Sequence, residues 1–175
     1  MTLACGCPEV FPDWDGQDID LGGQLVHELP IPMLLHMPLA FDLYVKRQQQ
    51  AVERLQLQEK WPGLVLLRTG FFRGSITRLL ENMRSPARYI HVLSKPFVVR
   101  AVLHHGNLST GRKVIQAMQM ALVDAGRRPK ELYLSYLTCP QCSGERGGER
   151  ILFLRRWEES PVLKKRLERR RNDGG

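Results

Sequence analysis

The stretch Phe97–Cys142, FVVRAVLHHGNLSTGRKVIQAMQMALVDAGRRPKELYLSYLTCPQC, decides the fold. Residues 97–103 are apolar and rich in β-branched side chains apart from Arg100, which reads as a strand. Gly106 and Gly111 punctuate a turn. Val114, Ile115, Met118, Leu122 and Ala125 then recur at helical spacing, and Gly126 supplies a C-terminal stop. LYLSYL (132–137) is a second strand, and Cys139-Pro140-Gln141-Cys142 closes the stretch as a knuckle.

Working outward, RYIHVL (88–93) is a strand separated from 97–103 only by Ser94-Lys95-Pro96, which predicts an antiparallel hairpin between the two. LVLLR (64–68) is a short buried strand, and Phe71 to Gly74 makes a turn. Ile76, Leu79, Leu80 and Met83 match i, i+3, i+4, i+7 and predict a helix over 75–84, stopped by Ser85-Pro86. The order from Leu64 to Leu137 is βαβ followed by βαβ. This is an α+β fold with a ferredoxin-like, split βαβ core, both helices on one face of the sheet. A doubly wound parallel sheet is the alternative, but the link at 94–96 is too short for a parallel crossover. ILFLR (151–155) adds an extra C-terminal strand.

Pro38 suits the start of a further helix running to about Leu57. Phe41, Tyr44, Val45, Val52 and Leu55 share one face of it, with Gln48 as the single polar intruder. Before it, residues 1–37 show neither helical nor strand periodicity, being broken by Pro8, Pro12, Pro30, Pro32 and several glycines. Phe11, Trp14, Ile19 and Leu21 make that segment too apolar for disorder, so it reads as an ordered arm over the body. The organisation is then an arm (1–37), an α/β core with the cysteine knuckle (38–159) and a basic tail (160–175) that starts as a helix at Ser160-Pro161.

Charge divides along the same lines. Residues 1–29 carry six acids and no Lys or Arg, whereas the rest carries 26 bases against 12 acids, a net +14. Such asymmetry lets the arm dock on the body, or lets the body meet an anionic partner. Arg outnumbers Lys 19 to 7, which suits bidentate phosphate contacts. No run approaches 18 consecutive apolar residues, and the N-terminus lacks a basic-then-apolar leader, so the expectation is a cytoplasmic protein with no membrane partner.

In a reducing compartment four cysteines read as metal ligands. Cys5, Cys7, Cys139 and Cys142 are the only ones, arranged as CxC and CPxC. A tetrahedral metal needs two close pairs from separate segments, each on a tight loop, so the four are expected to hold a structural zinc. An iron–sulfur cluster is the alternative occupant. A thioredoxin-like redox pair fits less well, because Ser143-Gly144-Glu145-Arg146-Gly147-Gly148 is a poor helix opening.

Three further constellations carry candidate chemistry. Ser109, Thr110, Gly111, Arg112 and Lys113 open a helix after a strand and could perch an anion on its free amides. The Arg-Lys pair stands where a nucleotide-hydrolysing P-loop requires Lys then Ser or Thr, so it is not one. Otherwise Ser109 or Thr110 merely caps the helix. His104 and His105 end the strand before that turn, on opposite faces, and with Asp15 they are the candidate acid–base residues. Asp13, Asp15, Asp18 and Asp20 crowd DWDGQDID, but the glycine is misplaced for an EF-hand loop, which favours pairing with body arginines.

These features lead to a zinc-stabilised binding or adaptor protein for an anionic partner, RNA or a phosphorylated ligand. Arg112, Lys113, Lys164, Lys165 and Arg166 are the proposed contacts. The strand carrying Val98, Arg100 and Val102 lacks the aromatics with which an RRM stacks bases. The tail is also a candidate for docking a protein. The alternatives are a small-molecule enzyme with its site between the acidic arm and the 104–113 turn, and a structural subunit of a complex.

Overall fold

Leu66 and Leu67 are both buried, yet a strand sends neighbouring side chains to opposite faces, so this segment must lie between two apolar layers. The computed structural model, which describes residues 1–81 and 86–173, has that arrangement. Its strands are β1 (Asp18–Asp20), β2 (Leu25–Leu34), β3 (Met37–Pro38), β4 (Leu66–Arg68), β5 (Arg73–Leu79), β6 (Ile90–Val92), β7 (Val98–His105), β8 (Arg127–Tyr136) and β9 (Arg150–Glu159). Its helices are α1 (Phe41–Arg54), α2 (Leu108–Asp124) and α3 (Pro161–Asp173). The fold is α+β: the nine strands form one open antiparallel sheet in the order β1-β7-β9-β8-β4-β5-β2-β3, with β6 also on β2.

The sheet is built twice from one plan. In β2-α1-β4-β5 and again in β7-α2-β8-β9, a strand and a helix are followed by an antiparallel pair whose second strand lies against the first strand. The two halves join where β4 meets β8, Leu67 opposite Leu134 and Arg68 opposite Tyr133. Phe41, Tyr44 and Val45 of α1 and Val114, Ile115 and Met118 of α2 pack on one face, over Leu67, Ile76, Leu134 and Phe153. The other face (Leu66, Leu79, Val99, Leu152, Leu154) is covered by Phe11, Trp14, Ile19 and Leu21 of the arm. Residues 11–21 of the arm therefore pack on the sheet.

Five expectations are corrected. The ferredoxin-like order fails because 75–79 is strand, part of β5, rather than helix. β5 is a central strand with every residue from Gly74 to Leu79 buried, so both faces are restricted and its apolar positions imitate a helical spacing. Leu80 of that expected helix forms an antiparallel bridge with Glu59, and Met83 and Ser85 lie outside the described residues. The hairpin between 88–93 and 97–103 does not form either. Arm residues come between, with Gly23 N–H donating to Leu93 O, Leu93 N–H to Gln24 O and Leu21 N–H to Phe97 O. β6 pairs with β2, and β7 with β1 and β9. The doubly wound alternative fails as well, since every strand pair among the described residues is antiparallel.

The fourth correction concerns 1–37, expected to be irregular, where β2 contributes a ten-residue strand. Its prolines are tolerated by parity. Glu28 N–H points away from β5, donating to Tyr89 O, so the nitrogens of Pro30 and Pro32 point the same way, off the β5 ladder, while Pro32 still accepts Leu39 N–H there through its carbonyl. Pro38 accordingly lies in β3 and not at the start of α1, whose N-cap is Ala40. Among the described residues no helix is long and apolar enough to cross a membrane.

Candidate metal centre and adjoining groove

The four cysteines converge. Their sulfurs all lie within 4.8 Å of one another, and Cys139 Sγ is 3.9 Å from Cys142 Sγ. Tetrahedral zinc with Zn–S near 2.3 Å requires sulfurs about 3.8 Å apart, so the donor set fits a metal. Each pair sits on a tight loop. Gly6 N–H donates to Leu3 O and Leu3 N–H to Cys7 O on one side, while the amides of Cys142 and Ser143 donate to Cys139 O on the other. The Cys139 N–H also points at Cys142 Sγ, 3.4 Å away.

The electrostatics suit a site that binds a cation. Burial raises the Cys7 thiol well above its ordinary value, and its contacts with the other three cysteines raise it further. Burial also pushes Cys139 up. Hydrogen bonds from the Cys142 and Gln141 backbone, with the Cys5 and Cys7 thiols, outweigh that and hold it at about 7. Cys139 thus ionises before Cys7, and a bound cation would draw the proton from Cys7 as well.

The arm is fastened here by residues that the sequence reading passed over. Arg146 donates to Pro8 O at 2.8 Å, Leu137 O at 3.2 Å and Glu9 O at 3.2 Å. Gly63 lies beneath the arm with φ +82°; a Cβ there would fall 2.8 Å from Thr2 Cγ2 and 3.0 Å from Gly6 O. A backbone this close to the cysteine loop needs a residue without a side chain.

Beside the cysteines a groove of about 500 Å³ runs between α1 and α2. Its floor is Val65, Leu67 and Leu134, at the seam between the halves, and Phe41, Val45 and Leu108 stand over it. Asp42, Tyr136 and Glu149 bring polar groups to it, and Cys5, Cys7 and Cys139 form one end. Burial raises the Tyr136 phenol, so it stays a proton donor. No hydrogen bond or ion pair engages the Glu149 carboxylate among the described residues.

The candidate acid–base residues are placed apart. Asp15 accepts Leu103 N–H at 2.8 Å, whereas the His104 ring stacks on Phe153, 5.7 Å between centroids, on the helix-bearing face. His104 Nε2 lies 2.9 Å from Thr110 Oγ1, and that hydroxyl itself donates to Asn107 O. Nε2 therefore carries the proton of that contact. His105 is exposed at the end of β7, opposite Arg150.

At the start of α2 the cap is Asn107, not Ser109 or Thr110, its side chain accepting Thr110 N–H at 3.1 Å. Ser109, Thr110, Arg112 and Lys113 are exposed; Gly111 is buried, where a Cβ would fall 2.5 Å from Phe153. That glycine serves close packing. Asp15, Asp18 and Asp20 are dispersed along β7 instead of gathered around an ion. Asp18 takes Arg100, Arg127 and the Trp157 indole, and Asp20 accepts the amides of Phe97 and Gly22, which lower its pKa.

Comparison with known proteins adds a family and a fold. The family model described as bacterial hydrolase matches residues 2–156. No curated protein matches the sequence. Among solved structures, the crystal structure of the EcmrR C-terminal domain is similar at a TM-score of 0.58 and 11% identity, covering 81% of this chain and 96% of that one. The EcmrR–DNA complex in EcmrR-RPo, solved by cryo-EM, gives 0.56 at 12% identity, covering 82% of this chain and 56% of that one. At such identity the likeness is one of fold.

Proposed function

The chain belongs to the bacterial hydrolase family, and from that premise we propose that it hydrolyses a small apolar ester or amide in the groove between α1 and α2. The observation that carries this reading is the groove itself: an apolar floor at the seam, with an unengaged carboxylate and a partly exposed phenol reaching the same space. Pockets at such internal interfaces, apolar with a few polar groups, are where small ligands bind.

In this reading Glu149 takes a proton from the attacking water, and Tyr136 donates a hydrogen bond to the oxygen on which charge develops. Asp42 is placed to hold the leaving group's polar end. Cys5, Cys7, Cys139 and Cys142 would hold zinc with four protein ligands, a closed sphere whose contribution is to brace the arm and one end of the groove.

The test is hydrolysis of 4-nitrophenyl acetate and butyrate. Glu149→Gln should lower kcat about a hundredfold with metal content unchanged, and Tyr136→Phe should lower it about tenfold or more. Wild-type turnover by Glu149→Gln would end the assignment.

A second reading concerns the tail. α3 exposes Lys165, Arg166, Arg169, Arg170 and Arg171, and no carboxylate pairs with them among the described residues. Among the described residues Lys164 alone is engaged, by Glu159. A helix with six bases against two acids and no buried residue suits a nucleic-acid backbone or another polyanion.

A further inference from the structure

A second cavity, of about 630 Å³, lies along a different stripe of α1. The groove takes Phe41, Asp42 and Val45 from that helix, whereas this cavity takes Arg47, Gln48, Ala51 and Arg54, and adds Arg88 and Tyr89. At its buried end stands His27, only 2% exposed.

His27 is held by a buried polar network in one protonation state. Gln48, fully buried, accepts from Arg78 Nε at 3.1 Å through its carbonyl oxygen. Its amide nitrogen must then face His27, and it lies 3.1 Å from Nδ1 and 3.0 Å from both His27 O and Ile76 O. The amide nitrogen has two protons for these three contacts and cannot itself accept, so a proton on Nδ1 would oppose it and the ring proton sits on Nε2. Nε2–H has no hydrogen-bond partner among the described residues. α2 buries Met118 and Leu122, four residues apart, where α1 buries Gln48 and Val52. One helix thus fills with a thioether the kind of position that the other gives to a network aiming a donor into a cavity.

The mouth is basic. No carboxylate pairs with Arg47, Arg54 or Arg88 among the described residues. The Arg88 guanidinium lies over the Tyr89 ring, 4.9 Å from its centroid, and that ring is 6.3 Å from His27. Tyr89 holds φ +71°, a strained conformation for an aromatic residue, with its carbonyl fixed by Glu28 N–H at 2.8 Å.

We propose that this cavity binds a nucleotide-sized phosphomonoester carrying a flat ring with a hydrogen-bond acceptor. The phosphate meets the guanidinium groups of Arg47, Arg54 and Arg88, whose planar forks match phosphate oxygens. The ring lies along Tyr89 and Leu55, and its acceptor takes His27 Nε2–H. A volume of this size falls within the range of small-molecule sites.

Uridine 5′-monophosphate is the probe, with uridine and inorganic phosphate as its two halves, read by calorimetry on the full chain. The monophosphate should bind at least about tenfold more tightly than either half, with an affinity that falls as salt rises. It should also shift the His27 Nε2 proton resonance. Arg54→Ala with Arg88→Ala, both at exposed positions where folding is unaffected, should weaken it at least about tenfold and flatten the salt dependence. Inorganic phosphate binding as tightly as the monophosphate, undiminished affinity in the double variant, or no binding at millimolar concentration would each overturn the proposal.

Discussion

Arg78 places Nη1 2.9 Å from both carboxylate oxygens of Glu59, with side chains only 3% and 7% exposed. The pair joins central strand β5 to the loop after α1, and Arg78 Nε reaches on to Gln48 at 3.1 Å. Neither charge has water to fall back on, so the pair is all or nothing.

Glu59→Gln should therefore cost about 3–5 kcal/mol, because it strands a buried guanidinium. Urea unfolding measures it. Replacing both residues with apolar ones of similar volume should recover part of the loss, since no unpaired charge then remains. A loss below about 1 kcal/mol for Glu59→Gln would mean that the guanidinium finds water.

His27 gives a pH dependence of definite sign. Burial is the main cause lowering its pKa, and the Arg78 charge adds to it. The unfolded chain then binds a proton in a range where the folded chain does not, so stability is complete above the ordinary histidine value of about 6.5. It declines as pH falls from there toward the lowered folded value. Unfolding free energies measured between pH 8 and 5 should show the decline, and His27→Gln should flatten it. An unchanged slope in the variant would assign the dependence elsewhere.

Legibility followed the degree to which one physical cause acted alone. The cysteine pairs were legible because thiols in a metal-type spacing have few other uses. Gln48 was visible as a polar residue on the apolar face of α1, though nothing local could say that it met His27, 21 residues earlier, and Arg78, 30 later. β5 was misread because burial on both faces erased the alternation that marks a strand. β2 was hidden by Pro30 and Pro32, harmless because their nitrogens face away from the β5 ladder. The 94–96 link misled because the competitor for its backbone groups, Leu21–Gln24, lies some 70 residues away. The groove could not be read at all, since Phe41, Leu134 and Glu149 meet only through the doubled topology.

The tail predicts a salt dependence. If α3 meets nucleic acid, removing 160–175 should flatten the dependence of affinity on salt, because each neutralised phosphate releases about one counterion. Retention of single-stranded RNA between about 50 and 200 mM salt measures it. Equal slopes with and without the tail would move the contact to the body, where Arg112 and Lys113 are exposed at the start of α2.

Two substitutions separate the cysteine cluster's metal from the hydrogen bonds around it. Cys142→Ala removes a buried ligand of the four. It should abolish stoichiometric zinc and free the arm to proteolysis, since structural zinc supplies on the order of 10 kcal/mol of apparent binding free energy. Arg146→Ala removes three contacts to carbonyl oxygens and no ligand. It should keep the zinc while costing about 1–3 kcal/mol in urea unfolding. The thiols supply the pH test. Cys139 is held at about 7, below its ordinary value, so its thiolate favours the folded state above that ordinary value, and this contribution is lost as pH falls through about 7. Zinc affinity should weaken over the same interval because protons and metal compete for the sulfurs. Metal analysis from above pH 9 down to pH 6, with proteolysis of the arm followed in parallel, should show both losses together in the wild type. Arm protection that persisted after the zinc had gone would show that Arg146 and the Phe11–Trp14 packing hold the arm without it.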